Sequence, residues 1–281
     1  MNNEFPYFKE NLDEIKFNAK KHTYNLTGRK VKFISVSAMI NLGESPFNVF
    51  EQSKASSKNP KSEWYGMDPK DIRTYWTIIA NLGTSFHSYY EENAYNIDKP
   101  IISKILNILE SEIGEPFSDL EIYNEVRIYS LPLLVAGTTD IVVYSKKQNK
   151  FFIFDLKTNK KLNTDKVFTY FKQLLMYRLL LKNCVDEKLN AEVEIGGIIH
   201  IPNTSNIIFE EEKKDFDATS LESKVRLITD TPTIYSLFES NSDKINPIYI
   251  KFDNNYSDNI VNKASSDLLL KIRERVKNIS G

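Results

Sequence analysis

The stretch Lys150-Phe151-Phe152-Ile153-Phe154-Asp155-Leu156-Lys157 decides how the rest of the chain is read. A short Phe- and Ile-rich run bounded by the polar Ser145–Asn149 segment predicts a buried β-strand. Period two places Asp155 and Lys157 on one face, and Phe154 and Leu156 on the other. A carboxylate and an ammonium set side by side among Phe and Ile cost free energy unless they pair or serve a site. The D-x-K spacing alone says little, because Asp68-Pro69-Lys70 repeats it in a stretch that reads as a loop.

Upstream, Leu133–Tyr144 reads as the partner strand of a hairpin closed by Ser145–Asn149. Within it, Ala136-Gly137-Thr138-Thr139-Asp140-Ile141-Val142-Val143 carries one acid in an apolar run, close to a glycine that admits backbone or ligand. Hairpin pairing makes Asp140 and Asp155 cross-strand neighbours. Two carboxylates in contact repel, and a divalent cation relieves them. Oxygen donors without a His–Cys cluster suit Mg²⁺ or Mn²⁺ better than zinc. The alternative is that Asp140 is an acid at a strand end near a turn.

Outward from the hairpin, Ile122–Tyr129 is a third strand. Helical periodicity predicts helices over Ile72–Asn96, Ile101–Ile113 (stopped by Gly114), Asp165–Lys182 and Ile260–Ile279. Further strands are expected at Val31–Ser35, Val193–Ile201 and Asn206–Glu210. A short helix over Ala38–Leu42 would be capped by Ser35 or Ser37, part of Asn11–Lys21 would be helical, and Gln52–Lys70 would be a loop. This order defines an α/β protein, a mixed sheet flanked by helices. We divide it into a helical and loop extension, 1–70, and a main domain, 71–281.

Composition narrows the function. Over 281 residues, 37 Lys and Arg balance 38 Asp and Glu, leaving a net charge of −1. That excludes a uniformly basic coat protein, although local charge still governs any DNA contact. Cys184 is the sole cysteine, so a disulfide framework, a multi-cysteine zinc site and a four-cysteine iron–sulfur cluster are excluded. A GxxxxGK[ST] phosphate loop is absent from the sequence, which argues against ATP use. With no long apolar run and no basic-then-apolar start, neither a membrane partner nor a secretory signal is expected. A reducing cytoplasm is the expected location.

Two helices carry further polar residues at i, i+4 spacing: Gly83, His87 and Glu91 in the first long helix, then Gln173 and Tyr177 after the D-x-K strand. In order, Gly83-x3-His87-x3-Glu91, Gly137-x2-Asp140, Asp155-x-Lys157 and Gln173-x3-Tyr177 resemble the RecB-type branch of the PD-(D/E)XK nuclease superfamily. The core motifs span residues 83–177, about a third of the chain. Phe33-Ile34-Ser35-Val36-Ser37 is similar to the entry segment of that branch.

The resemblance implies a restriction-endonuclease-like fold and metal-assisted hydrolysis of DNA phosphodiesters. It implies that Asp140, Asp155 and the carbonyl of Leu156 hold Mg²⁺ or Mn²⁺. His87 would complete or support the site, and Glu91 or Glu125 is a further candidate ligand. Lys157 would orient or activate the attacking water. Gln173 and Tyr177 would touch the DNA backbone or the active-site network. With one cysteine and no phosphate loop, the chain is most similar to stand-alone exonucleases such as the mitochondrial genome maintenance and phage enzymes. The implied substrate is a DNA end, single- or double-stranded, in recombination, repair or replication. A recombination or single-strand-binding protein would be a partner, in a bacterial or phage-infected cell. A structure-specific endonuclease, or a non-catalytic DNA-binding subunit of the same fold, is the alternative.

Charge by position agrees with a DNA track. Residues 146–182 hold ten basic side chains against Asp155 and Asp165, a net +8, whereas residues 83–125 carry −7. Lys160, Lys161, Lys172 and Arg178 are the expected phosphate contacts in this stretch.

Overall fold

The computed structural model describes residues 5–9, 15–18, 23–28, 31–45, 47–160, 162–202, 230–252 and 257–280. The fold is mixed α/β. Its centre is a sheet built on β5 (Val135–Ser145). β4 (Leu120–Ser130) runs antiparallel along all of β5, from Leu120 opposite Ser145 to Ser130 opposite Val135. The other edge of β5 is shared. β6 (Lys150–Lys157) pairs with Ile141–Ser145, and the two-residue β3 (Ile34–Ser35) pairs in parallel with Val135 and Ala136. β7 (Glu192–His200) then runs parallel to β6, and β8 (Ile248–Lys251) closes the edge antiparallel to β7.

Helices cover both faces. On one side, α3 (Pro69–Asn93), α4 (Pro100–Ile113) and α6 (Thr231–Ser240) pack on Ile141, Val143, Phe152, Phe154 and Leu156. On the other, α1 (Val36–Ile40), α5 (Thr164–Cys184) and α7 (Ser257–Ser280) pack on Val142, Tyr144, Phe151 and Ile153. The alternation read in the D-x-K strand is observed: Phe154 and Leu156 face α3, away from Phe151 and Ile153. Lys172 of α5 and Lys271 of α7 both donate to the Ile40 carbonyl, at 3.3 and 2.8 Å, and so fasten α7 to α1 and α5.

Several sequence expectations need correction. Within the segment expected to be partly helical, Ile15–Asn18 is a strand, β1, paired antiparallel with β2 (Thr23–Leu26). Tertiary packing decides this, since Ile15, Tyr24 and Leu26 bury against Phe33, Tyr129 and Ala136. The expected loop at 52–70 begins inside a helix, α2 (Val49–Lys58). The Asn48 side chain caps it, accepting from Phe50 N at 3.1 Å and Glu51 N at 3.2 Å. A surface helix rich in Ser and Lys has little apolar period, and the cap supplies the missing signal. The second D-x-K is explained as well: Asp68 caps α3, its Oδ1 taking Lys70 N–H at 2.7 Å, with Pro69 in the first turn. Ser35 caps α1, accepting from Ala38 N at 3.1 Å. β3 and α1 precede residue 70, yet one joins the central sheet and the other packs beneath it. α6 and β8 had no counterpart in the sequence reading. The strand expected at 206–210 lies outside the described residues. Among those residues no helix is long and apolar enough to cross a membrane.

Candidate active site

The site lies where β5 and β6 part. Their ladder ends at Ile141 opposite Phe154, and the next residues in register are Asp140 and Asp155. Instead of continuing the ladder, Asp140 Oδ2 accepts the N–H of Leu156 at 2.7 Å. The gap so opened is lined by Gly137–Asp140. Gly137 is required there by close approach: a Cβ would meet Val36 Cγ2 at 2.7 Å and Tyr177 Cε1 at 2.8 Å. Gly83 plays a similar part on α3, where a Cβ would lie 2.6 Å from Thr158 Oγ1.

Three donors converge on the fork. His87 Nδ1 from α3 lies 3.4 Å from Asp140 Oδ1 and 3.9 Å from Glu125 Oε1. Ligand atoms of His87, Glu125 and Asp140 all fall within 4.8 Å of one another, the spacing a shared cation needs. Glu125 reaches this position through a left-handed backbone, φ 52°, in the middle of β4. Before it, Leu120 and Ile122 pack in the α3 core. After it, Val126 and Ile128 pack in the α5 core, although an unbroken strand would keep Ile122 and Val126 on one face. Such a conformation is costly for a residue with a Cβ, and strain of this kind gathers at functional sites.

Asp155 and Lys157 complete the group. Asp155 is 1% exposed and Lys157 15%, with Nζ 2.6 Å from Asp155 Oδ2. The contact is an ion pair without hydrogen-bond alignment, so neither Asp155 oxygen has a hydrogen-bond partner among the described residues. Lys157 Nζ also sits 4.7 Å above the centre of the Tyr170 ring.

Electrostatics follow from crowding three carboxylates in a dry site. Burial pushes Asp155 up to about 7; Asp140 adds to this, and Lys157 offsets part of it. Burial, reinforced by Asp140, pushes Glu125 up to about 7. Asp140 goes the other way, to about 2: burial opposes ionisation, but His87, Lys157 and the Leu156 N–H outweigh it. His87 and Lys157 are both raised, burial being outweighed by Asp140 for the first and by Asp155 and Asp140 for the second.

The remaining expected residues are distributed as follows. Glu91 is exposed, one helical turn beyond His87 and outside the trio, though its charge helps to raise Glu125. Leu156 is buried and contributes its N–H to Asp140. Gln173 Nε2 donates to Tyr177 Oη at 2.7 Å, and buried Tyr177 lies against Gly137, so this pair belongs to the floor of the site. Lys160 pairs with Glu63 at 2.8 Å. Arg178 is exposed on α5, and Lys161 lies outside the described residues.

Lys172 corrects the sequence reading. It is buried, and its ammonium is held by Asp267 at 3.0 Å and by the Ile40 carbonyl, so it is no surface contact for phosphate. The basic stretch as a whole is more neutral than its composition. Lys146 pairs with Glu121, Lys150 with Glu192 and Glu194, and Lys160 with Glu63. Partners distant in sequence cancel charges that a window count leaves standing.

Two residues near the fork went unread. Tyr24 reaches in from the β1–β2 hairpin, its hydroxyl 3.1 Å from Thr138 Oγ1. His200 Nε2 donates to the Asn159 carbonyl at 2.6 Å, while the Asn159 side chain accepts from Tyr170 Oη at 2.5 Å. Tyr170 in turn supports Lys157 through its ring face. No known family model and no curated protein sequence matches the chain.

Proposed function

We propose that the chain is a divalent-metal-dependent deoxyribonuclease acting on DNA ends, as its ordered motifs suggest. The observation that carries this reading is the convergence of His87, Glu125 and Asp140 at one strand fork, with the Asp155–Lys157 ion pair beside them. The donor set fits a hard cation, being mainly carboxylate oxygens. Buried Asp155 is ion-paired with Lys157 through Oδ2, and neither of its oxygens is hydrogen-bonded among the described residues, which leaves lone pairs for a cation.

Asp140, Asp155, Glu125 and His87 would hold Mg²⁺ or Mn²⁺, which when bound supplies Lewis acidity toward a phosphodiester. Lys157 places a compact positive charge where negative charge develops on the phosphoryl oxygens. Its ammonium is fixed by Asp155 below and the Tyr170 face beside it, so little reorganisation is needed during reaction. The Leu156 N–H locks one oxygen of Asp140 and leaves the other toward His87.

The test is incubation with end-labelled linear and covalently closed circular DNA in Mg²⁺ or Mn²⁺. Linear DNA is degraded, circles survive, and Asp155→Ala and Lys157→Ala lose the activity. Cutting of circles replaces the exonuclease with an endonuclease. Intact linear DNA in both metals overturns the nuclease proposal.

A further inference from the structure

Resting on the nuclease proposal, we infer that the cleft beside Lys157 is a subsite for one unpaired nucleobase of the substrate strand, stacked on Trp76 and met at its edge by Asn159. The cleft has a volume of about 310 Å³ and is lined by Trp76, Ile79, Ala80, Gly83, Thr158 and Asn159. Thr158 and Asn159 directly follow Lys157, so the cleft and the reactive strand share a wall.

The wall on α3 is a single stripe. Trp76, Ile79, Ala80 and Gly83 recur at helical spacing, with bulk at one end and almost none at the other. Ala80 adds little bulk, Thr158 Oγ1 closes over Gly83, and half-buried Trp76 presents its indole. One side of that ring meets Phe47, 73% exposed, at 6.2 Å between ring centres. From Trp76 to His87 the helix rises about 16 Å, so the cleft extends away from the fork along α3.

Asn159 supplies the polar edge. Its backbone carbonyl takes the His200 N–H and its side-chain Oδ1 takes the Tyr170 hydroxyl, which fixes the residue at its main chain and at its amide. The amide Nδ2 is then a preoriented donor with no hydrogen-bond partner among the described residues, placed in the cleft wall. An aromatic face, an apolar floor and a fixed edge donor together match the flat apolar faces and polar rim of a base. Cations stand nearby: Lys160 one residue beyond Asn159, and Arg73 one turn before Trp76. Arg73 is held over Phe50 at 4.8 Å and bonded to Ser53 at 3.0 Å. A base locked in a duplex stack cannot enter such a cleft, so the subsite selects single-stranded or frayed ends.

The test crosses protein variants with abasic substrates. Single-stranded oligonucleotides carrying one abasic nucleotide at successive positions are cleaved in Mn²⁺ by wild type, Trp76→Ala and Trp76→Phe. For wild type, one position raises KM roughly tenfold when its base is removed. Trp76→Ala shows that tenfold loss on intact DNA and no further loss on the abasic strand, whereas Trp76→Phe keeps most of the wild-type pattern. Cleavage with no sensitive position, or with Trp76→Ala as sensitive as wild type, overturns the subsite alone. Absence of cleavage by wild type overturns the nuclease proposal, and the subsite with it.

Discussion

Asp140 and Leu156 are joined by a side-chain-to-backbone hydrogen bond of 2.7 Å that stands in for the last rung of the β5–β6 ladder. The bond gives Asp140 a structural duty separable from its charge. Asp140→Asn keeps an acceptor for the Leu156 N–H, so melting of the metal-free protein stays close to wild type while calorimetric Mn²⁺ binding is lost. Asp140→Ala loses the metal too, and strands a buried N–H, lowering stability by about 1–3 kcal/mol. Equal melting of the two variants would show that the bond carries no weight.

Acidity of the site sets a pH dependence with a definite sign. Asp155 and Glu125 are both raised to about 7 in the folded protein. A folded carboxyl above its unfolded value binds protons more tightly, so its contribution is present at low pH and lost as pH climbs from about 4 through 7. His87, also raised, loses its contribution as pH climbs through its folded value. Asp140, lowered to about 2, contributes stability that is fully present above about pH 4 and is lost only as pH falls toward 2, so it adds no slope in this range. The melting temperature in chelator therefore falls between about pH 5 and 8. Saturating Mn²⁺ flattens that slope, because the cation takes the protons' place and binds more tightly as pH rises. A chelated protein whose melting temperature rises over this range would contradict the assignment.

Lys157 owes its position to Asp155 and the ring of Tyr170. Lys157→Ala costs about 10²- to 10³-fold in kcat, as loss of a preorganised positive group does. Lys157→Arg does not restore it, since a planar fork cannot occupy the place of a point charge. Tyr170→Phe retains the ring beside the ammonium and stays within about threefold of wild type. Tyr170→Leu lowers kcat about tenfold with KM unchanged, in line with a desolvated cation–π contact. A KM effect from Tyr170→Leu instead would place the ring in substrate binding.

Gly137→Ala introduces a methyl group into space held by Val36 and Tyr177. Overpacking of this kind costs about 1–3 kcal/mol in urea unfolding. Adding Val36→Ala relieves one of the two contacts and recovers part of the loss, a coupling that a double-mutant cycle measures directly.

The hairpin carrying Asp140 and Asp155 was legible because each acid interrupts a dense apolar run, Asp155 within Phe151–Leu156 and Asp140 beside Ile141–Val143. Helix α3 was legible from its apolar stripe, and β7 from its β-branched run. What escaped the sequence depends on contacts remote along the chain. The β1–β2 hairpin is held by Phe33, Tyr129 and Ala136, and nothing local to Ile15–Leu26 announces them. Helix α2 shows its cap but scarcely an apolar face. At the site, the i, i+4 pattern drew Glu91 toward the metal, whereas the structure turns Glu125 inward through its left-handed φ. No residue pattern at Asn124-Glu125-Val126 reports that turn. Lys172 looked like surface charge because its partners Asp267 and Ile40 lie about 95 and 132 residues away, distances no window spans.

The exchange of faces at Glu125 gives β4 a share in both halves of the molecule. Its early residues belong to the α3 side, its later ones to the α5 side, and Glu125 is the crossing point. His87 comes from the first half and Asp155 lies against the second, so a cation bound between them is a rivet through the seam. Opening either layer alone would forfeit the bound ion. Occupancy of the site would then fuse two local unfolding events into one, sharpening the thermal transition as well as raising it.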